Sequence, residues 1–142
     1  MVNRKLSAEK DYPLSEKRPD LLKAPTGKTL NDITLEKVMN GQVKPEDVRI
    51  SPETLELQAQ ISDADDRKAI SRNFRRAAEL IAIPDDRLLE IYNALRPFRS
   101  TSEELIAIAE ELEEKYDAVI NGAFIREAAE VYKKRNKLKT EE

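Results

Sequence analysis

The chain has neither cysteine nor histidine among its 142 residues. Without cysteine it can form no disulfide, thiolate nucleophile or zinc–sulfur site, a usage that fits a cytosolic chain. Without histidine it lacks the side chain whose ordinary pKa lies near neutrality, and with it the commonest metal ligand. Aromatic residues make up only 5%, so the core is expected to be aliphatic and modest. No apolar run approaches the ~20 residues of a membrane-spanning helix, and no hydrophobic signal segment opens the chain. A soluble, cytoplasmic protein with no membrane partner is expected. Lys plus Arg number 25 against 28 Asp plus Glu, a balance that gives no reason to expect a polyanionic partner. A catalyst built here would need a carboxylate, lysine or tyrosine shifted by burial, and no paired-carboxylate spacing on an apolar face suggests one. No catalytic, cofactor-binding or metal-ligating residue is therefore assigned.

What is present is helical pattern and helix punctuation. Two helical segments occupy the stretch from Arg72 to Ser100 and its approach; in the first, Ile70, Phe74, Ala77, Ala78 and Ile81 recur at helical spacing. Pro84 should stop that helix near Ala82 and start another, with Asp85 and Asp86 in its first turn. Leu88, Leu89, Tyr92 and Leu95 form the expected buried stripe of this second helix, and Pro97 ends it. Beyond it, Ser100 with Glu103 and Thr101 with Glu104 offer two overlapping capping boxes. Leu105, Ile108, Ala109, Leu112 and Tyr116 then make the cleanest stripe in the chain. A last helix should run from about Ala118 to Asn136 with Val119, Ala123, Phe124, Ala128, Val131 and Tyr132 inward. Gly122 within it suggests a close helix approach or a join.

Upstream, Ser51-Pro52-Glu53 is a strong helix start leading into Leu55, Leu57 and Ile61. The polar run Ser62 to Asp66 either interrupts that helix or caps the next. Asp32 or Thr34 can cap a short helix carrying Leu35, Val38 and Met39, ended by Asn40-Gly41, and Lys44-Pro45 starts another turn. Residues 1–28 differ: Pro13, Pro19 and Pro25 forbid a long helix and favour an extended, partly polyproline II path. The expected fold is all-α: a compact multi-helix domain over residues 29–142, preceded by an extended, proline-containing arm over residues 1–28.

Two basic runs interrupt this pattern. Arg67, Lys68, Arg72, Arg75 and Arg76 carry no intervening acid, and Lys133, Lys134, Arg135, Lys137 and Lys139 gather near the C-terminus. One reading is a helical adaptor binding nucleic acid or another anionic partner through both runs. Against it, the first run holds a single aromatic and matches no nucleic-acid module; solvated or partner-facing helix charge is the preferred reading. The acidic face of Glu103, Glu104, Glu110, Glu111, Glu113, Glu114 and Asp117 could touch calcium, but an exposed helix cannot wrap the ~6–8 oxygens that ion takes.

The stretch NFRRAAELIAIPDDRLLEIYNALRPFRS, with Asp11-Tyr12-Pro13-Leu14, Val48-Arg49-Ile50, Glu53-Thr54-Leu55 and Phe124-Ile125-Arg126-Glu127-Ala128-Ala129, closely resembles the small subunit of the adenosylcobalamin-dependent diol and glycerol dehydratases. These are packing, capping and turn residues rather than a catalytic motif. The resemblance implies a dimer of heterotrimers in which a large TIM-barrel subunit holds the diol and a metal ion, potassium or calcium. The large and medium subunits together bind adenosylcobalamin. Its adenosyl radical abstracts hydrogen from a 1,2-diol, a hydroxyl migrates and water leaves, giving an aldehyde. The small subunit is then a peripheral helical clamp with no catalytic role. Some relatives carry an amphipathic N-terminal extension addressing the enzyme to a protein-shelled microcompartment. Here about ten residues precede Asp11, and Val2 with Leu6 makes no helical stripe, so targeting through this subunit is not expected.

The expected contact residues with other subunits are Tyr12, Pro13 and Leu14 in the arm and Arg96, Pro97, Phe98 and Arg99 at the turn. Phe98 is a large aromatic between two helices, which suits an anchor. A thin core with few aromatics further predicts a chain whose stability depends on association.

Overall fold

The computed structural model describes residues 5–140. They form α-helices joined by short 3-10 turns, and among them there is no β-strand, so the fold is all-α. The chain divides into two units, Met1–Ala78 and Glu79–Glu142.

The first unit opens with two single-turn helices, α1 (Ala8–Asp11) and α2 (Leu14–Lys17), and a 3-10 turn at Pro19–Leu21. The prolines do exclude a long helix, but the path is a chain of helical turns, because proline opens a helix as readily as it ends one. Pro13 precedes α2 after a cis Tyr12–Pro13 peptide, and Pro19 occupies the first position of the 3-10 turn. Leu6 and Leu14 are buried against Ile61, with Leu21, Leu22 and Leu57 at the edge of that small cluster. Val2, the other residue weighed for an N-terminal stripe, lies outside the described residues. Buried Asp11 fastens the segment by accepting from the Ser7 N–H at 2.9 Å and from Arg18 Nη1 at 3.1 Å.

Helix α3 (Leu35–Met39) is capped by Thr34 and ends at Asn40-Gly41, with Gly41 at φ +77°, but its apolar side chains face outward. Buried Asp47, in the 3-10 turn Pro45–Val48, organises the loop around it. It accepts from Thr26 Oγ1 at 2.7 Å, Lys28 Nζ at 2.6 Å and the Lys44 N–H at 2.8 Å. Helix α4 (Pro52–Ala64) starts on Ser51, whose Oγ accepts from the Thr54 N–H, and buries Leu55, Ala59 and Ile61. Asp66 at φ +56° breaks the chain before α5 (Lys68–Leu80). The expected apolar face of α5 is only shallowly covered: Ile70 and, beyond the helix, Ile81 are exposed, while Phe74, Ala77 and Ala78 are half-buried. Ser71 is the buried residue of α5, and its hydroxyl accepts from Arg75 Nη1 at 2.8 Å. A polar network thus occupies ground that the apolar pattern claims.

The second unit is built on α6 (Asp85–Ala94), α7 (Ser102–Tyr116) and α8 (Val119–Lys134). Leu105, Ile108, Ala109 and Leu112 of α7 meet Ile125 and Ala129 of α8 and Ile91 of α6 in one aliphatic core, with Ile83 and Ala118. The α7 stripe is as expected. The α8 face is rotated: Val119, Ala123 and Phe124 are exposed, and Asn121, Gly122, Ile125 and Ala129 are buried. Gly122 explains the rotation, since a Cβ there would lie 2.5 Å from Glu113 Cγ; the two helices approach where the side chain is missing. The start of α8 has no cap of its own, and Glu79 supplies one. Its carboxylate accepts from the Ile120 and Asn121 backbone N–H groups, both at 2.9 Å, and from Asn121 Nδ2 at 2.7 Å. In α6, Ile91 is buried and Leu88 and Leu95 are partly buried, whereas Leu89 and Tyr92 face out. Of the two capping boxes, Thr101 with Glu104 forms; buried Ser100 instead donates its hydroxyl to the Ala94 carbonyl at 2.9 Å.

Candidate subunit interface

The turn after α6 is held by its neighbours within the second unit. The Tyr132 hydroxyl donates to the Leu95 carbonyl at 2.6 Å, the Phe98 N–H donates to the Lys137 carbonyl at 2.7 Å, and the Lys139 N–H donates to the Ser100 carbonyl at 2.9 Å. This clasp holds Phe98 at φ +65°, the left-handed region that a bulky residue avoids. The residue is 56% exposed, with the Lys137 ammonium 4.9 Å from the ring centre. Arg96, Pro97 and Arg99 are exposed around it.

The arm residues fall in the first unit. Tyr12 is exposed, Pro13 is half-buried and Leu14 belongs to the small core. Tyr12, Pro13 and Leu14 border an open cleft with Gln58, Ile61 and Phe74. The structure also exposes large apolar side chains, among them Leu89 and Tyr92, which the helical spacing placed in a buried stripe. Leu35 and Met39 of α3 are 78% and 79% exposed, Leu89 of α6 is 68% exposed, and Tyr92 stands beside it. The available signal was a short helix with apolar residues on more than one side.

The first basic run is largely neutralised within its own unit. Arg67 pairs with Asp65, Lys68 with Asp63, and Arg75 with both Glu56 and Asp63. These pairs remove much of the positive field on which phosphate binding would depend. Most of the perturbed titrating groups are ion pairs of this structural kind. The Lys28 ammonium holds the Asp47 carboxyl well below the ordinary range. The Arg87 guanidinium, bridged to Glu111 and Glu90, is pushed up, and Glu111 is pushed down. Such shifts move groups away from neutrality, opposite to the tuning a proton-transfer residue needs.

Nor do the residues present fit a corrin or a catalytic metal. There is no imidazole in the sequence, and among the described residues no three acidic side chains converge to hold an ion. One recess is an open groove along Arg87, Asn93, Arg99 and Glu111.

The sequence model described as "Dehydratase small subunit" matches residues 7–139. The chain belongs to the dehydratase small subunit family. It is similar to the propanediol dehydratase small subunit of Salmonella typhimurium, 58% identical over 129 residues, covering 91% of this chain and 75% of the relative. It is similar also to the protein of that name from Citrobacter freundii, 57% identical over the same coverage. For a dehydratase small subunit, the exposed apolar side chains fit a chain that works as part of an assembly, with other dehydratase subunits as its partners.

Proposed function

We propose that this chain is the structural small subunit of an adenosylcobalamin-dependent diol dehydratase that converts propane-1,2-diol or glycerol to an aldehyde. The observation that carries the reading is identity of 58% along 91% of the chain to a propanediol dehydratase small subunit. In this reading a large and a medium subunit complete a heterotrimer that pairs into a dimer. Adenosylcobalamin, which supplies the adenosyl radical, and the potassium or calcium ion are held by those subunits. The chain's task is to brace the large subunit. Tyr12 and Pro13 contribute through the arm, residues 1–28, which Leu14 anchors from inside, and Arg96, Pro97, Phe98 and Arg99 through the turn of the helical domain, residues 29–142. The complex acts in the cytoplasm. Among the described residues no helix is long and apolar enough to cross a membrane, which agrees with that placement.

The test is co-expression with the large and medium subunits, followed by gel filtration and an aldehyde-formation assay with and without adenosylcobalamin. The expected result is stoichiometric co-elution and aldehyde formation that requires the cobalamin. A fully active complex of the other two subunits, from which this chain elutes separately, would overturn the reading. The isolated chain should melt at a lower temperature than the same chain in the complex.

A further inference from the structure

Helix α6 is apolar on two sides. Leu88, Ile91 and Leu95 join the core of the second unit, while Leu89 and Tyr92, three residues apart, leave the helix together on the outer side. A helix with a second, exposed apolar side is suited to a partner on that side. Arg96 follows Tyr92 by four residues and extends the outer stripe past the helix end. Phe98 then stands outward on its left-handed backbone.

The cations around Phe98 stand outside the ion pairs that hold the rest of this unit. Several guanidiniums elsewhere are neutralised, Arg18 on Asp11 and Asp20, Arg75 on Glu56 and Asp63, Arg87 on Glu90 and Glu111 and Arg126 on Glu113, although Arg72 and Arg135 are not among the described residues' ion pairs. Arg96, Arg99, Lys137 and Lys139 have no carboxylate partner among the described residues. A sequence with 28 acids to 25 bases had carboxylates to spare for them. Backbone bonds from the segment around Lys137 nevertheless set cations beside the aromatic.

We infer that Leu89, Tyr92 and Phe98, rimmed by Arg96, Arg99 and Lys137, form an aromatic plug for a protein partner whose face offers an apolar socket edged by Asp or Glu carboxylates. The inference rests on the subunit reading and assigns the socket to another subunit of the dehydratase. The plug supplies the desolvated anchor and the cations fix its register and speed its approach.

The test uses the full chain reconstituted with the large and medium subunits, with retention measured as a function of salt. The wild-type chain should bind, and added salt should weaken it, because the rim is exposed and screened. Phe98→Ala should weaken retention by about tenfold or more at every salt concentration. The pair Arg96→Glu with Lys137→Glu, surface changes that leave the core intact, should weaken it by about tenfold in dilute salt and much less in concentrated salt. Lys23→Glu, an exposed cation of the first unit, should leave retention unchanged. Wild-type binding with undiminished retention of both plug and rim variants overturns the inference and leaves the subunit reading standing. Loss of retention equal in the Lys23→Glu control also overturns it, since charge anywhere would then serve. Failure of the wild-type chain to join at any salt concentration overturns both.

Discussion

In the second unit, aliphatic side chains from α6, α7 and α8 close on one another, and Leu105 and Ala109 retain no measurable exposure. In the first unit Leu6, Leu14 and Ile61 are the buried members of a much smaller cluster, and the long connection from Lys23 to Ile50 is fastened by polar contacts on Asp47. Apolar burial is nearly indifferent to pH and salt, whereas charge-assisted hydrogen bonds respond to both. The two halves of one chain should therefore fail under different conditions.

The largest expected effect lies in the apolar unit. Leu112→Ala removes a side chain with 1% exposure and should cost about 2–5 kcal/mol in urea unfolding followed by helical circular dichroism. A loss near zero would mean that the core is loosely packed and would erase the contrast. Gly122→Val comes next. Its side chain must displace Glu113, which is bonded to Arg126, and overpacking of this kind should cost about 1–3 kcal/mol in the same measurement.

For the polar unit the decisive variable is acid. The carboxyls of Asp32, Asp47 and Asp63 are all depressed, chiefly by backbone and hydroxyl donors for Asp32, by Lys28 for Asp47, and by Ser71 and Arg75 for Asp63. A group with a lowered folded-state pKa stabilises fully above its ordinary value of about 4, and that contribution drains away as pH falls toward the folded value. Hydrogen exchange should therefore show amides between Lys23 and Val48 losing protection on acidification before those of α7. Asp47→Asn should bring the same local loss at neutral pH and flatten its acid dependence. Equal loss in α7 would place the acid weakness in the wrong half. The smallest effect is Thr101→Ala, which removes one side of the α7 capping box and should cost about 1 kcal/mol by urea unfolding.

Local signals were legible in the sequence and tertiary choices were not. Ser51, Pro84, Pro97 and Thr101 mark boundaries that the backbone respects, because caps and proline act within a turn of themselves. The α7 stripe was readable because its apolar residues occupy one side only. In α6 apolar residues lie on several sides, so spacing could not choose Ile91 over Leu89. In α8 the deciding residue was Gly122, whose missing side chain draws α7 close and turns Phe124 outward. Arg75 with Glu56 spans 19 positions, a pairing that no local pattern announces. Of the expected contact residues, Tyr12, Arg96, Phe98 and Arg99 are accessible, whereas Leu14 had already been spent on the interior.

The strand-like exchange of Phe98 with Lys137 and of Lys139 with Ser100 makes the distal end of the polypeptide a strut for its middle. Shortening the chain to Asn136, or hanging a bulky fusion directly on Leu138, would release a corner some forty positions earlier, although no residue of that corner had been altered.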